Sequence, residues 1–184
     1  MINLQDYIYV ENILTTQESK SFLDNMTSSW YPHTWTDNKT GEEIVSQVDP
    51  FNALPSKDLC EPIMEKIWDS HDKYCAKVNR EKLINNLSYP RINRYGKDQK
   101  MEIHYDHITS LFDGSARGIP VLSFILMLNS DYKGGELVFD FGGTHKHYKL
   151  NTGDVIMWPS VFLYPHSVKP VTQGQRYSMV IWGW

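Results

Sequence analysis

The amino-acid sequence predicts a mainly β, α+β fold, with helices first and a β sandwich or barrel second. Two observations predict it. Up to about residue 82, apolar residues recur at helical spacing in two stretches. From about residue 83 onward, short strand-like segments alternate with turn residues at close, regular intervals. A length of 184 residues suits one domain with a hydrophobic core of its own, so residues 1–184 are expected to form a single domain.

In chain order, Thr15 and Glu18 make a capping box, and Phe22, Leu23, Met26 and Trp30 follow at helical spacing. The segment from Trp30 to Val48 differs. Three aromatic residues (Trp30, Tyr31, Trp35) precede the turn-like Asp37-Asn38-Lys39-Thr40-Gly41 and a short apolar run at Ile44 and Val45, which predicts a protruding hairpin. A second helix is expected from near Ser56, with Ile63, Ile67, Trp68, Tyr74, Cys75 and Val78 on one stripe. Strands are then expected over 87–95, 100–107, 121–128, 136–141, 147–150, 154–158, 161–171 and 176–184. The turns between them hold Gly96, Asp113-Gly114, Gly134-Gly135, Gly142-Gly143, Thr152-Gly153-Asp154 and Gln173-Gly174.

Composition narrows the function classes. An apolar share of 41% and a charged share of 22% belong to a soluble globular chain. No run of about 18 apolar residues exists, so no membrane span is expected. Met1 to Val10 carries Asp6 and no basic cluster, unlike a secretory leader. Cys60 and Cys75 lack disulfide or metal spacing and are expected to be free thiols in a reducing cytoplasm. A net charge of −4 gives no pull toward nucleic acid or an anionic membrane.

The chemistry centres on His104-Tyr105-Asp106. On a strand, alternation turns His104 and Asp106 to one face, offering an imidazole and a carboxylate as two corners of a metal site. A second imidazole would complete the two-His, one-carboxylate triad of non-haem Fe(II), with open positions for other ligands. Alone the pattern is weak, since an exposed His and Asp at a strand edge would read identically. His166 supplies the missing imidazole at the start of a late strand, and Arg176 follows ten residues on. Thr172-Gln173-Gly174-Gln175 reads as a hairpin turn that would lay Arg176 near Val171, roughly 16 Å along the ladder from His166. Alternation places Arg176 and Ser178 on one face. An inward guanidinium implies a bound anion or an acidic neighbour. A core histidine at 166 and a structural ion pair at Arg176 remain the plain alternatives.

The chain resembles the prolyl 4-hydroxylase group of 2-oxoglutarate/Fe(II) dioxygenases from about Ile92 to Trp182. Five pieces carry the resemblance: Asn93-Arg94-Tyr95-Gly96 before His104-Tyr105-Asp106; the strand Val121 to Leu128 ending in Asn129; Gly134-Gly135-Glu136-Leu137-Val138-Phe139; Thr152-Gly153-Asp154-Val155-Ile156-Met157-Trp158; and His166 with Arg176. It implies a double-stranded β-helix (jelly-roll) core over about 83–184, with supporting helices and a hairpin over about 1–82. It also implies that His104, Asp106 and His166 hold Fe(II), and that Arg176 binds the distal carboxylate of 2-oxoglutarate with help from the Tyr95 hydroxyl and Ser178. The cosubstrates are then 2-oxoglutarate and O2, with ascorbate as reductant, and succinate and a hydroxylated carbon are the products. Collagen-type members carry Lys where this chain has Arg176, and Lys97-Asp98-Gln99-Lys100 stands where they have a glycine-rich segment.

Other features are weaker. His145 and His147 form an HxH that a cupin-type site would use with a nearby glutamate, but none follows, so a surface strand is expected. His107 is expected to turn away from the His-Asp pair. The loop 108–120 is expected to border the site's mouth, and the 30–48 hairpin to serve either as a substrate lid or as packing against the barrel. The substrate expected from the resemblance is a proline of a peptide or protein, with a free amino acid or small metabolite as the alternative. A nucleic-acid dealkylating relative would carry a second arginine six residues after the first, where this chain has Trp182. A non-catalytic β-helix binding module would have no reason to keep all four site residues.

Overall fold

The computed structural model describes residues 3–36, 40–106 and 120–184, with the side chains of Trp35 and Thr36 left out. A 3-10 turn (Leu4–Tyr7) leads into β1 (Tyr9–Asn12) and α1 (Thr16–Asn25). The strands β2 (Tyr31–Pro32), β3 (Thr34–Thr36), β4 (Glu43–Val45) and β5 (Phe51–Ala53) precede α2 (Lys57–Lys77). The rest is β6 (Arg91–Tyr95), β7 (Met101–His104), β8 (Leu122–Met127), β9 (Lys133–Gly134), β10 (Leu137–Phe141), β11 (Thr144–Tyr148), β12 (Asp154–Pro159), β13 (His166–Val168), β14 (Val171–Gln173) and β15 (Arg176–Gly183).

Capping chemistry places the start of α1, whereas Ser56, at the N-cap position of α2, makes no side-chain capping bond. Thr15 Oγ1 accepts from the Glu18 amide, and the Glu18 carboxylate accepts from the Thr15 amide. Helix α1 stops at Asn25, so Met26 and Trp30 lie beyond it rather than on it.

Two sheets face each other. The larger runs β1-β12-β8-β15-β6-β5-β2 and the smaller β11-β10-β13-β7. Alternation on β8 sends Leu122, Phe124 and Leu126 toward the helices, where they join Phe22, Ile63 and Ile67 in one core cluster. Ile125 and Met127 point the other way, into a second cluster between the sheets with Phe139, Ile156 and Trp158. A strand buried on both faces needs no polar side, which explains the nearly continuous apolar run at 121–128. This is the expected jelly-roll core with supporting helices.

Three expectations need correcting. First, β15 does not pair with the strand before it. Arg176 lies opposite Tyr95, while Val171 lies opposite Gly134. The 172–175 turn carries the chain from the small β14–β9 pair to the larger sheet, instead of folding it back as a hairpin. Second, 161–171 is not one strand but β13 and β14. Pro170 between them lacks the amide a continuous ladder would need, and its carbonyl accepts from Gly135 instead. Third, β1 and β5 are real strands in segments that the sequence pattern left as helix and hairpin.

The 30–48 hairpin forms through β3 and β4. Trp30 packs against Tyr177 at 6.0 Å and beneath the Arg94 guanidinium at 4.4 Å, so it anchors the hairpin to the larger sheet rather than covering the site. Gly153 explains why its turn carries glycine. Its φ is +86°, and a Cβ there would stand 1.8 Å from the Leu14 carbonyl oxygen. Its own carbonyl accepts from the Ile13 and Leu14 amides, clamping the N-terminal segment to the start of β12.

Candidate metal centre and cosubstrate pocket

His166 and His104 face each other in register across β13 and β7. Their rings are 4.3 Å apart, centroid to centroid. Strand β7 ends at His104, so Asp106 sits in the bend beyond it. The expected strand alternation is therefore not what joins the pair; the turn after β7 brings the carboxylate round. Asp106 Oδ1 lies 3.8 Å from His104 Nε2, and Oδ2 lies 3.7 Å from His166 Nε2. The ligand-type atoms of the three residues lie within 4.8 Å of one another.

Hydrogen bonds fix what these groups can do. His104 Nδ1 donates to the Glu102 carbonyl at 2.8 Å, and His166 Nδ1 donates to the Tyr164 carbonyl at 3.1 Å. A carbonyl only accepts, so both Nδ1 atoms carry a proton, and both Nε2 atoms face the Asp106 carboxylate. Burial holds the His166 imidazole below its usual pKa, in its neutral form. Phe139 and Trp158 pack against its ring. Two imidazoles and a carboxylate converge here in an arrangement that could hold a cation, and the donor set matches non-haem Fe(II).

Ser123 and Ser160 were not legible as site residues. Ser123 Oγ donates to Asp106 Oδ2 at 2.6 Å and meets Ser160 Oγ at 2.7 Å. The available signal was a lone hydroxyl inside the otherwise apolar Leu122–Met127.

Arg176 is 1% exposed, yet it makes no ion pair among the described residues. Its Nη1 donates to Ser178 Oγ at 2.8 Å and its Nη2 to the weak acceptor Met127 Sδ at 3.4 Å. Nε is sealed without a partner, and the guanidinium lies over the Tyr95 ring at 4.9 Å. The structure thus brings Arg176, Ser178 and Tyr95 together, as expected. Tyr95 lines the same cavity as the three ligand-type residues, whereas Arg176 and Ser178 are not among its lining residues. His145 and His147 lie on β11, exposed and away from the centre. His107 and the loop 108–119 lie outside the described residues.

Among the described residues, no helix is long and apolar enough to cross a membrane. Residues 90–184 match the sequence model of the 2OG-Fe(II) oxygenase superfamily. A PKHD-type hydroxylase of Picosynechococcus sp. is 30% identical over 94% of this chain and 71% of its own length. Another from Prochlorococcus marinus is 28% identical over 95% of this chain and 76% of its own. Among solved structures, a Pseudomonas putida prolyl-4-hydroxylase superposes with a TM-score of 0.66 at 15% identity, covering 96% of this chain and 92% of that one. A Trichoplax adhaerens prolyl hydroxylase, in complex with a peptide fragment of hypoxia inducible factor, gives 0.68 at 14% identity over 97% of this chain and 84% of that one. The chain therefore belongs to the 2OG-Fe(II) oxygenase superfamily, oxidoreductases that use Fe(II), 2-oxoglutarate and O2, and within it to the PKHD-type hydroxylases.

Proposed function

We propose that this chain is a hydroxylase of proline in a peptide or protein, that His104, Asp106 and His166 hold its iron, and that Arg176 binds the distal carboxylate of 2-oxoglutarate. The observation that carries the site reading is the pairing of a cluster of two imidazoles and a carboxylate with a buried guanidinium that has no carboxylate of its own among the described residues. Bound iron supplies the oxidising chemistry that hydroxylates carbon at the expense of the keto acid. The chain's own residues do the rest. Glu102 and Tyr164 carbonyls hold both imidazoles in the tautomer that presents Nε2, and Ser123 steers the Asp106 carboxylate toward them. Arg176 would exchange its thioether contact for two parallel charge-assisted bonds to a carboxylate, with Ser178 and the Tyr95 hydroxyl beside it. Phe139, Trp158 and Met127 keep water from that path.

Residues 1–184 are proposed to act as one domain, with the helical part backing the larger sheet. Ascorbate is proposed as the reductant that restores Fe(II). Cys60 and Cys75 are free and buried, which suits a reducing cytoplasm.

Two experiments bear on this. Ser123→Ala should lower Fe(II) affinity about 10–100-fold, the usual effect of losing a group that orients a ligand, while leaving the fold intact by circular dichroism. The substrate reading is tested with Fe(II), 2-oxoglutarate, ascorbate and a panel of proline-containing peptides, following succinate release and gain of one oxygen by mass spectrometry. Coupled oxidation of a peptide is expected. Coupling only to a free amino acid or other small metabolite would replace the peptide reading with the small-molecule one.

A further inference from the structure

Arg91 is a second cation on the cavity wall, and none of the chemistry above uses it. Alternation on β6 turns Arg91, Asn93 and Tyr95 to one face, and all three line the cavity that holds the donor cluster. Tyr95 lies opposite Arg176, whereas Arg91 lies opposite Val180, four residues away. That separates the two arginine positions by roughly 13 Å along the sheet. Arg91 therefore faces the end of the cavity remote from the proposed 2-oxoglutarate carboxylate.

No carboxylate among the described residues forms an ion pair with Arg91, and its Nε is sealed and has no hydrogen-bond partner. The guanidinium is packed 5.1 Å from the Trp182 ring. Asp106 acts on it electrostatically, but the Asp106 oxygens point at Ser123 and the two histidines. Tyr31, at the root of the hairpin, and Tyr95 are the other groups that favour its charge, and neither is an anion. A guanidinium whose Nε is sealed and unpaired is costly to keep unless a bound anion completes it. Its planar fork fits a carboxylate better than any neutral group.

We propose that Arg91 is a subsite for a carboxylate of the molecule being hydroxylated, which it grips while the reacting carbon faces His104, Asp106 and His166. This rests on the reading of the centre given above and narrows it. A proline presented here carries its own free carboxylate, as the last residue of a peptide, rather than lying inside a chain.

The test uses the anaerobic protein loaded with Fe(II) and 2-oxoglutarate, read by tryptophan fluorescence, because Trp158 and Trp182 line the cavity. Two matched pairs of probes are titrated: N-acetylproline against its amide, and N-acetylleucine against its amide. The acid is expected to bind about tenfold or more tightly than the amide, and Arg91→Gln should remove that preference. Arg91→Met should leave the melting temperature unchanged or raised, because it deletes a half-buried charge that makes no ion pair among the described residues. Acid preference in the leucine pair alone would keep the subsite and discard the proline reading. Equal binding of acids and amides, or no acid binding into the tens of millimolar, overturns the subsite. So does a marked fall in melting temperature, which would make Arg91 structural. A tenfold loss of 2-oxoglutarate affinity in Arg91→Gln also overturns it, since Arg91 would then serve the cosubstrate.

Discussion

Asp106→Ala is expected to abolish turnover and to weaken Fe(II) binding by at least about 100-fold, the largest effect of any single substitution here. The reason lies in charge. Imidazole binds a metal as a neutral donor, so among the described ligand-type residues Asp106 is the one that offsets part of the metal's charge. Its removal leaves the two imidazoles facing each other across the rings' 4.3 Å centroid separation. His166→Ala should act almost as strongly, because that ring is 3% exposed and its deletion opens a cavity against Phe139 and Trp158. His104→Ala should be slightly milder in stability and equal in activity, since its side chain is 25% exposed. Fe(II) titration by calorimetry, together with succinate release, checks all three. Full activity in His104→Ala would remove this residue from the ligand set.

Arg176→Ala is expected to raise the Kd for 2-oxoglutarate about 30-fold to 5,000-fold while leaving Fe(II) affinity within a few-fold of wild type. Losing one partner of a buried, hydrogen-bonded charge pair costs about 2–5 kcal/mol, which sets that range. Arg176→Lys should recover part of the loss, because it restores charge without the planar fork. Stability should respond differently from binding. In the absence of the keto acid Arg176 is a buried cation held by a hydroxyl, a thioether and a ring, so replacing it with Met should not destabilise the protein. Direct 2-oxoglutarate binding under anaerobic conditions and thermal melting of the same variants separate the two effects.

The parts legible in the sequence were those governed by local rules. The Thr15–Glu18 box marked α1 because the same two side chains make both capping bonds. Ser56 marked α2, and the glycine-bearing turns marked the strand ends. The residues of the centre were legible as chemical types, and His104, Asp106 and His166 do converge. What failed was pairing. Whether β15 folds back on β14 or crosses to the other sheet depends on which strand edges are free, and no spacing between residues 166 and 176 records that. Strand β1 was hidden because Tyr9 to Asn12 is a short, half-exposed edge with little apolar pattern. Ser123, Ser160 and Arg91 went unnoticed because each acts only through neighbours brought in by the two sheets.

The most direct test of the central claim is an anaerobic titration of the metal-free protein with Fe(II) and then 2-oxoglutarate, watching for the weak visible charge-transfer band of a keto acid bound to ferrous iron. The band should develop at one iron per chain in the wild-type protein, and Asp106→Ala and His166→Ala should not form it. In Arg176→Ala it should appear only at much higher 2-oxoglutarate. No band in the well-folded wild-type protein, or an undiminished band in Asp106→Ala, would contradict the assignment of this centre.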